Sequence, residues 1–287
     1  MVLKYNRTYI KMEYDYILNK ISEAKVSSEP FNYIEINNFL SDEHLFEILS
    51  CNQIHFRETL DNNDLHELLL ENNYDVQKFP GCVDTWEQYI NEFRDREDNK
   101  MRESKGITFR LQKFKNKKIE KLINFMNSSK FQKVLEKKFN IDEDTNIVTA
   151  IQKNLSGYEI SPHPDIRQKC LTYLLNINKN EDIEKYDVHT HLLKFKDEYM
   201  KIEKFWSEKP QYNRCWVPWS FCNTIKKINK NNTLLIFKPC SKPASLHAVK
   251  LDYDHNKFQR TQIYGNLMYK DSEWCKMVNY DELEYSL

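Results

Sequence analysis

From residue 146 to residue 269 the chain is cut into short runs of strand-forming residues, and this texture limits the fold more than any other feature. The runs cover 147–153, 169–177, 188–195, 233–237, 246–251 and 260–269, separated by clusters rich in Asn, Pro, Lys and Ser. Runs this short and this many predict a sandwich or barrel rather than a helical bundle. Before residue 146 the pattern is mixed. Residues 33–36 and 107–112 read as strands. Ser41, followed by Asp42 and Glu43, reads as a helix N-cap ahead of Leu45, Ile48 and Leu49. Trp86, Tyr89, Ile90 and Phe93 recur at helical spacing, as do Ile119, Leu122, Ile123 and Met126, and, after Ser128 and Ser129, Phe131, Val134, Leu135 and Phe139. The charged run 92–105 reads as a solvated helix end and loop. The expected class is mainly β with flanking helices (α+β): one domain over 1–287, with a mostly helical supporting part over 1–140 and a strand-rich core over 146–270. Residues 196–232 read as an insertion in that core. Its start, 197–205, has helical character, and its second part holds Trp206, Trp216, Pro218, Trp219 and Phe221.

Composition removes several function classes. Only four glycines occur among 287 residues, so neither a G-x-G-x-x-G turn nor a P-loop can be built. The mean hydropathy is low at −0.77, yet 17 Tyr and 16 Phe can furnish a core, which argues against disorder. Lys and Arg total 43 and Asp and Glu total 43, for a net charge of +0. A general basic field for nucleic acid or anionic membrane is therefore not expected. No run approaches the roughly 20 apolar residues of a membrane span, and residues 1–20 carry no apolar signal region. The seven cysteines are scattered without a C-x-x-C pair, which predicts reduced thiols and a cytoplasmic setting rather than a disulfide framework or zinc knuckle.

Chemistry concentrates in the strand-rich half. The segment Ser156-Gly157-Tyr158-Glu159-Ile160-Ser161-Pro162-His163-Pro164-Asp165 places an imidazole and a carboxylate two residues apart beside a strand. With a third imidazole from a distant strand, such a pair forms the two-His-one-carboxylate face that leaves positions open on Fe(II). Taken alone the pair is weak, because this composition yields an acid two residues after a histidine about once by chance. The third imidazole is His247, on a strand that follows the apolar run 233–237 and a turn through Pro239 and Pro243. Arg260 then opens the next strand, where a guanidinium fork can clamp a carboxylate, and Gln262 shares its strand face. Singly, His247 reads as a core histidine and Arg260 as a surface charge. The ordered series His163, Asp165, His247, Arg260, each at a strand boundary, is much harder to obtain by accident.

The pieces SGYEISPHPD, CLTYLLNIN, VHTHLLKF, NTLLIFKP, SLHAV and RTQIYGN resemble the Fe(II)/2-oxoglutarate-dependent oxygenase superfamily, in the style of its prolyl-4-hydroxylase-like branch. The resemblance covers about 146–269 and extends weakly to YIEINNFLSDEHLFEIL. It implies a double-stranded β-helix (jelly-roll) core. Carried over residue by residue, it makes His163, Asp165 and His247 the catalytic Fe(II) ligands. Arg260 becomes the anchor for the distal carboxylate of 2-oxoglutarate, with Gln262 and the Tyr173 hydroxyl as further co-substrate contacts. A core role for Tyr173 remains equally open. The implied activity is oxidative decarboxylation of 2-oxoglutarate by O2, giving succinate and CO2, coupled to hydroxylation of a peptidyl proline, an amino acid or a small metabolite. Ascorbate is a candidate accessory reductant. An intact Asp165 points away from halogenation, and Asn266 stands where nucleic-acid demethylases of the superfamily carry a second Arg. Two departures stand out. The interval from His163 to His247 is long, which the insertion 196–232 would explain as a lid or substrate wall. His189 and His191 also occupy a strand where such proteins often have glycines. They offer a rival cupin-like set with His247, and a non-catalytic jelly-roll module is the third reading.

Overall fold

The computed structural model describes residues 13–77, 85–93, 106–179, 181–214, 216–239, 242–251, 259–271 and 276–277. The first half contributes helices α1 (Asp15–Glu23), α2 (Asp42–Leu49), α3 (Asn62–Glu71), α4 (Trp86–Phe93), α5 (Lys117–Met126) and α6 (Ser129–Phe139). Between them run strands β1 (Val26–Ser27), β2 (Tyr33–Ile36), β3 (Tyr74–Val76) and β4 (Thr108–Leu111). The second half supplies β5 (Thr145–Asn154), β6 (Glu159–His163), β7 (Lys169–Asn176), β8 (Thr190–Phe195), α7 (Met200–Glu208) and β9 (Tyr212–Asn213). It continues with β10 (Cys222–Ile228), β11 (Leu234–Phe237), β12 (His247–Lys250), β13 (Thr261–Tyr269) and β14 (Lys276–Met277). Eight strands form one sheet in the order β1-β2-β11-β7-β13-β5-β4-β3, and four form a second in the order β10-β8-β12-β6. β9 and β14 pair separately and in parallel. Both larger sheets are antiparallel throughout. The fold is α+β.

Local chemistry explains the helix boundaries. The Ser41 side chain accepts from His44 N, and Ser128 accepts from Phe131 N, each satisfying an otherwise orphaned amide in the first turn. Ser128 thus separates α5 from α6, as the two apolar stripes predict. α6 ends where Asn140 turns left-handed at φ 51°. The apolar stripe of α5 is fully inward, with Ile119, Leu122, Ile123 and Met126 buried.

Strand alternation then divides the core in two. Leu171, Tyr173 and Leu175 of β7, Leu234 and Ile236 of β11, and Ile263 and Leu267 of β13 pack against the helices. Leu174, Leu235 and Phe237 face the other way and meet Leu192 and Ile228 of the smaller sheet. The large sheet is therefore sandwiched, and β7 is buried along nearly its whole length. The outer face of the smaller sheet is covered by α7, where Ile202 and Trp206 meet Leu193 and Phe195.

The structure corrects two readings. β6 is a strand that ends at His163, not a turn outside one. The stretch 196–232 is divided: α7 and β9 lie outside the two large sheets, whereas β10 pairs with β8 as the edge of the smaller one. The run 92–105 and Cys82, Cys215, Cys240 and Cys275 fall almost entirely outside the described residues. Cys51, Cys170 and Cys222 are buried and free. Among the described residues, no helix is long and apolar enough to cross a membrane.

Candidate metal centre and cavity

β6 and β12 run antiparallel with His163 directly opposite His247. Their ring centroids lie 4.4 Å apart. Each ring is fixed by the chain two residues before it: His163 Nδ1 lies 2.8 Å from the Ser161 carbonyl oxygen, and His247 Nδ1 lies 3.0 Å from that of Ser245. A carbonyl can only accept, so both Nδ1 atoms donate and both Nε2 atoms keep a lone pair for a metal. Burial lowers the affinity of both rings for a proton. Burial first, and then the neighbouring His247, take His163 down to about 3, and His247 is lowered chiefly by burial. Both rings are neutral near pH 7, the state that ligates metal.

Asp165 completes the group just past the end of β6. Its Oδ2 lies 3.9 Å from His247 Nε2, and one ligating atom from each of His163, Asp165 and His247 lies within 4.8 Å of the others. Lys169 donates to Asp165 Oδ1 at 2.6 Å, and the Thr172 hydroxyl donates to Oδ2. Burial opposes charge on Asp165, but Lys169, His247 and His163 outweigh it and hold the carboxyl well below its ordinary range. The turn itself is pinned by Arg214, which donates to the backbone oxygens of Asp165 at 2.9 Å and Pro239 at 2.6 Å. Trp216 stacks on His163 at 5.9 Å, and Phe237 packs against His247 at 4.7 Å. Three donors converge on one point, with neutral imidazoles, an ionised carboxylate and braced second partners. This set fits a divalent first-row metal with open positions.

The centre opens into a cavity of about 480 Å³ between the two sheets, lined by residues of both. That size suits small organic ligands, whose pockets span roughly 300–1,000 Å³. Arg260 lines it and is buried. Arg260 Nε donates to the Val188 oxygen at 2.6 Å, and Nη1 donates to Asn154 Oδ1 at 2.7 Å. Among the described residues no carboxylate is paired with this guanidinium. Burial lowers its pKa to about 10, so it stays charged. A buried cation held only by neutral acceptors is costly without an anion. Gln262, on the same face of β13, also lines the cavity and donates to Asn176 Oδ1 at 2.8 Å.

Tyr173 lies elsewhere. It faces the helices, fully buried, with its hydroxyl on Thr149 and its ring against Phe131 at 5.7 Å. Its register partner on β13 is Gly265, where any side chain would fall inside the tyrosine ring. Thr172 and Leu174, on either side of it in β7, face the cavity instead. The rival His189/His191 set is not assembled either. His191 points to the outer face of the smaller sheet, with Nε2 2.9 Å from Asp187 Oδ1 and Nδ1 3.0 Å from Thr224 Oγ1. Neither histidine joins a metal-capable group among the described residues. A second group, Glu13, His44 and Glu47, lies at the surface and is tied up with Tyr16, Lys118 and Lys121.

Sequence reasoning passed over Lys169, Thr172, Arg214 and Asn154. Lys169 and Thr172 carried a usable signal: both are polar, in a largely apolar strand that directly follows the His-x-Asp turn.

No family model and no curated protein matches this sequence. Among solved structures, the chain is similar to a Pseudomonas putida prolyl-4-hydroxylase at 8% identity and TM-score 0.42, covering 89% of this chain and 98% of that one. It is also similar to a Trichoplax adhaerens prolyl hydroxylase in complex with a hypoxia inducible factor peptide fragment, at 12% identity and TM-score 0.43, covering 90% and 92%. A third is a 2OG-Fe(II) oxygenase family oxidoreductase from Burkholderia pseudomallei, at 11% identity and TM-score 0.37, covering 78% and 98%.

Proposed function

We propose that the chain is an Fe(II)- and 2-oxoglutarate-dependent dioxygenase that hydroxylates a peptide side chain, amino acid or small metabolite. The observation that carries this reading is the pairing, in one cavity, of the His163–Asp165–His247 group with the buried Arg260 guanidinium. The two-His-one-carboxylate face with open positions belongs to non-haem Fe(II) oxygenases. A dicarboxylate co-substrate would give Arg260 an anion that none of the described residues supplies, through charge-assisted hydrogen bonds.

The strand order supports a single jelly-roll domain. β5, β7, β11 and β13 lie in the large sheet, while β6, β8, β10 and β12 form the small one. The chain thus passes repeatedly between two facing sheets, as a double-stranded β-helix requires.

Iron held by His163, Asp165 and His247 would supply the O2 activation that couples oxidative decarboxylation of the 2-oxo acid to oxidation of a substrate C–H bond. The protein groups do the positioning. His163 and His247 present Nε2 because their Nδ1 protons are spent on Ser161 and Ser245. Lys169 and Thr172 hold the Asp165 carboxylate in the orientation from which it would ligate the metal. Arg260 holds the far end of the co-substrate away from the metal. Burial of all four groups excludes water that would compete for the open positions. Arg110, with its guanidinium 5.0 Å over the Tyr264 ring, and Gln152 line the β4 side of the same cavity and give it a polar wall for the substrate.

The test is anaerobic titration of the Fe(II)-loaded protein with 2-oxoglutarate, followed by the visible metal-to-ligand charge-transfer band. A saturable band that Asp165→Ala removes and Arg260→Met weakens is the expected result. Folded, iron-bound protein that gives no band is a non-catalytic or differently employed metal module.

A further inference from the structure

Lys153 and Asn154 are neighbours on β5 whose side chains leave opposite faces of the large sheet. Asn154 leaves the same face as the cavity-lining Gln152 and accepts from the Arg260 guanidinium. Lys153 points into the protein and is almost completely buried. Among the described residues its ammonium meets no carboxylate. It donates to the Ile54 oxygen at 2.7 Å, the Gln259 oxygen at 3.2 Å and the Thr261 hydroxyl at 2.5 Å, and it sits 5.1 Å from the centre of the Phe56 ring. Two of those three acceptors are the residues immediately before and after Arg260.

The rest of the knot serves the same three residues. Gln259 is held left-handed at φ 47°. Its side chain accepts from Phe56 N at 3.3 Å and donates to the Arg57 oxygen at 2.9 Å. Thr261 donates through its hydroxyl to the Gln259 oxygen at 2.7 Å, and its amide donates to Asn178 Oδ1 at 2.7 Å. Burying a lysine without a counter-ion is expensive, and a methionine would fill the same space at less cost. What the lysine adds is directed bonds to the Gln259 backbone oxygen and the Thr261 hydroxyl, one on each side of Arg260, with a third to Ile54 that ties them to the neighbouring segment.

We propose that Lys153 is a positioning residue that sets the choice of 2-oxo acid: by clamping Gln259 and Thr261 from behind the sheet, it aims Arg260 at the distal carboxylate of the co-substrate. This rests on the oxygenase reading above. Lys153 lines neither the metal group nor the cavity, so its route to the co-substrate runs through Gln259 and Thr261 to Arg260.

The measurement compares two ligands on anaerobic Fe(II)-loaded protein by the charge-transfer band: 2-oxoglutarate, and 2-oxobutyrate, which lacks the distal carboxylate. Wild type is expected to prefer 2-oxoglutarate by on the order of 100-fold, the size of two charge-assisted hydrogen bonds at the weaker end of their range. Arg260→Met should erase that preference. Lys153→Met should lower it about 10-fold or more by weakening 2-oxoglutarate alone, with Fe(II) affinity and the binding of 2-oxobutyrate unchanged. A merely structural lysine would weaken both ligands together. If Lys153→Met does not fold, Gln259→Gly, which accepts the left-handed backbone but drops the tethers to Phe56 and Arg57, should lower the preference in the same selective way. A preference as large in the folded variant as in wild type, with Arg260→Met still losing it, overturns the role of Lys153 and leaves the oxygenase reading standing. Wild type with no preference at all overturns both.

Discussion

The pairing of Gly265 with Tyr173 decides which side of the large sheet that tyrosine occupies. Tyr173 needs the space that a missing Cβ leaves, so its ring lies on the helix side of the large sheet. Gly265→Ala should therefore cost about 1–3 kcal/mol by overpacking, read as a lower denaturant midpoint. The 2-oxoglutarate titration of the variant should be unchanged, because the clash lies behind the sheet. Lys153 gives a second expectation at this scale. Burial pushes it down to about 7 from 10.5. Between those values the unfolded chain holds the extra proton, so stability rises as pH increases through that window, by up to ~1.4 kcal/mol per pH unit. Below pH 7 both states are protonated and the burial penalty is present in full. His55, the titratable group beside it, is itself shifted down by burial, then by Lys179 and Lys153, and so titrates below this range. Chemical denaturation of wild type and Lys153→Met at pH 7 and pH 9 should show a gap that changes in favour of the wild type at the higher pH. His163, Asp165, His247 and Arg260 were legible because their spacing relative to strand ends is a local property. The side of the sheet that Tyr173 occupies was not, because it depends on what faces it across the β7–β13 register, and Lys153 owes its meaning to the same kind of cross-strand neighbour.

Helices and central strands of this chain carry their signals in the sequence. The stripes of α5 and α6 and the cap at Ser128 were readable because each is satisfied within one or two turns. Ser128→Ala should cost about 1 kcal/mol, measured by thermal or urea unfolding, since the Phe131 amide then loses its acceptor. The short β1, β3, β9 and β14 were not foreseen, nor were β6 and β10, which are the two edges of the small sheet. β6 contains Pro162, which has no amide to offer and is tolerated where only one neighbour pairs. β10 carries Lys226 and Lys227 and is largely exposed, as edge strands protected by charge often are. Such strands look like loops because their pattern is written for a single partner and for water. The two histidines of the candidate metal group sit where this sheet is built, His163 on edge strand β6 and His247 on its neighbour β12.

At the scale of the molecule, two sheets bring together residues far apart in the chain around one cavity. Ligands that bind only the folded form stabilise it by mass action. Adding Fe(II) and 2-oxoglutarate together should therefore raise the unfolding temperature, with about 2.7 kcal/mol of added stability at one hundred times the dissociation constant. Asp165→Ala should lose that gain, and differential scanning fluorimetry under anaerobic conditions reads it directly.

The brace around the metal group has a further consequence. Carbonyl groups of Ser161 and Ser245 hold the imidazoles, Lys169 and Thr172 hold the carboxylate, and Arg214 holds the turn, so the ligand geometry is paid for by the polypeptide itself. Iron would then be a replaceable part rather than a keystone. A chelator should strip it and leave a folded protein that takes the metal up again when iron returns, and the supply of the metal, not the folding of the chain, would set how much of the protein is loaded at any moment.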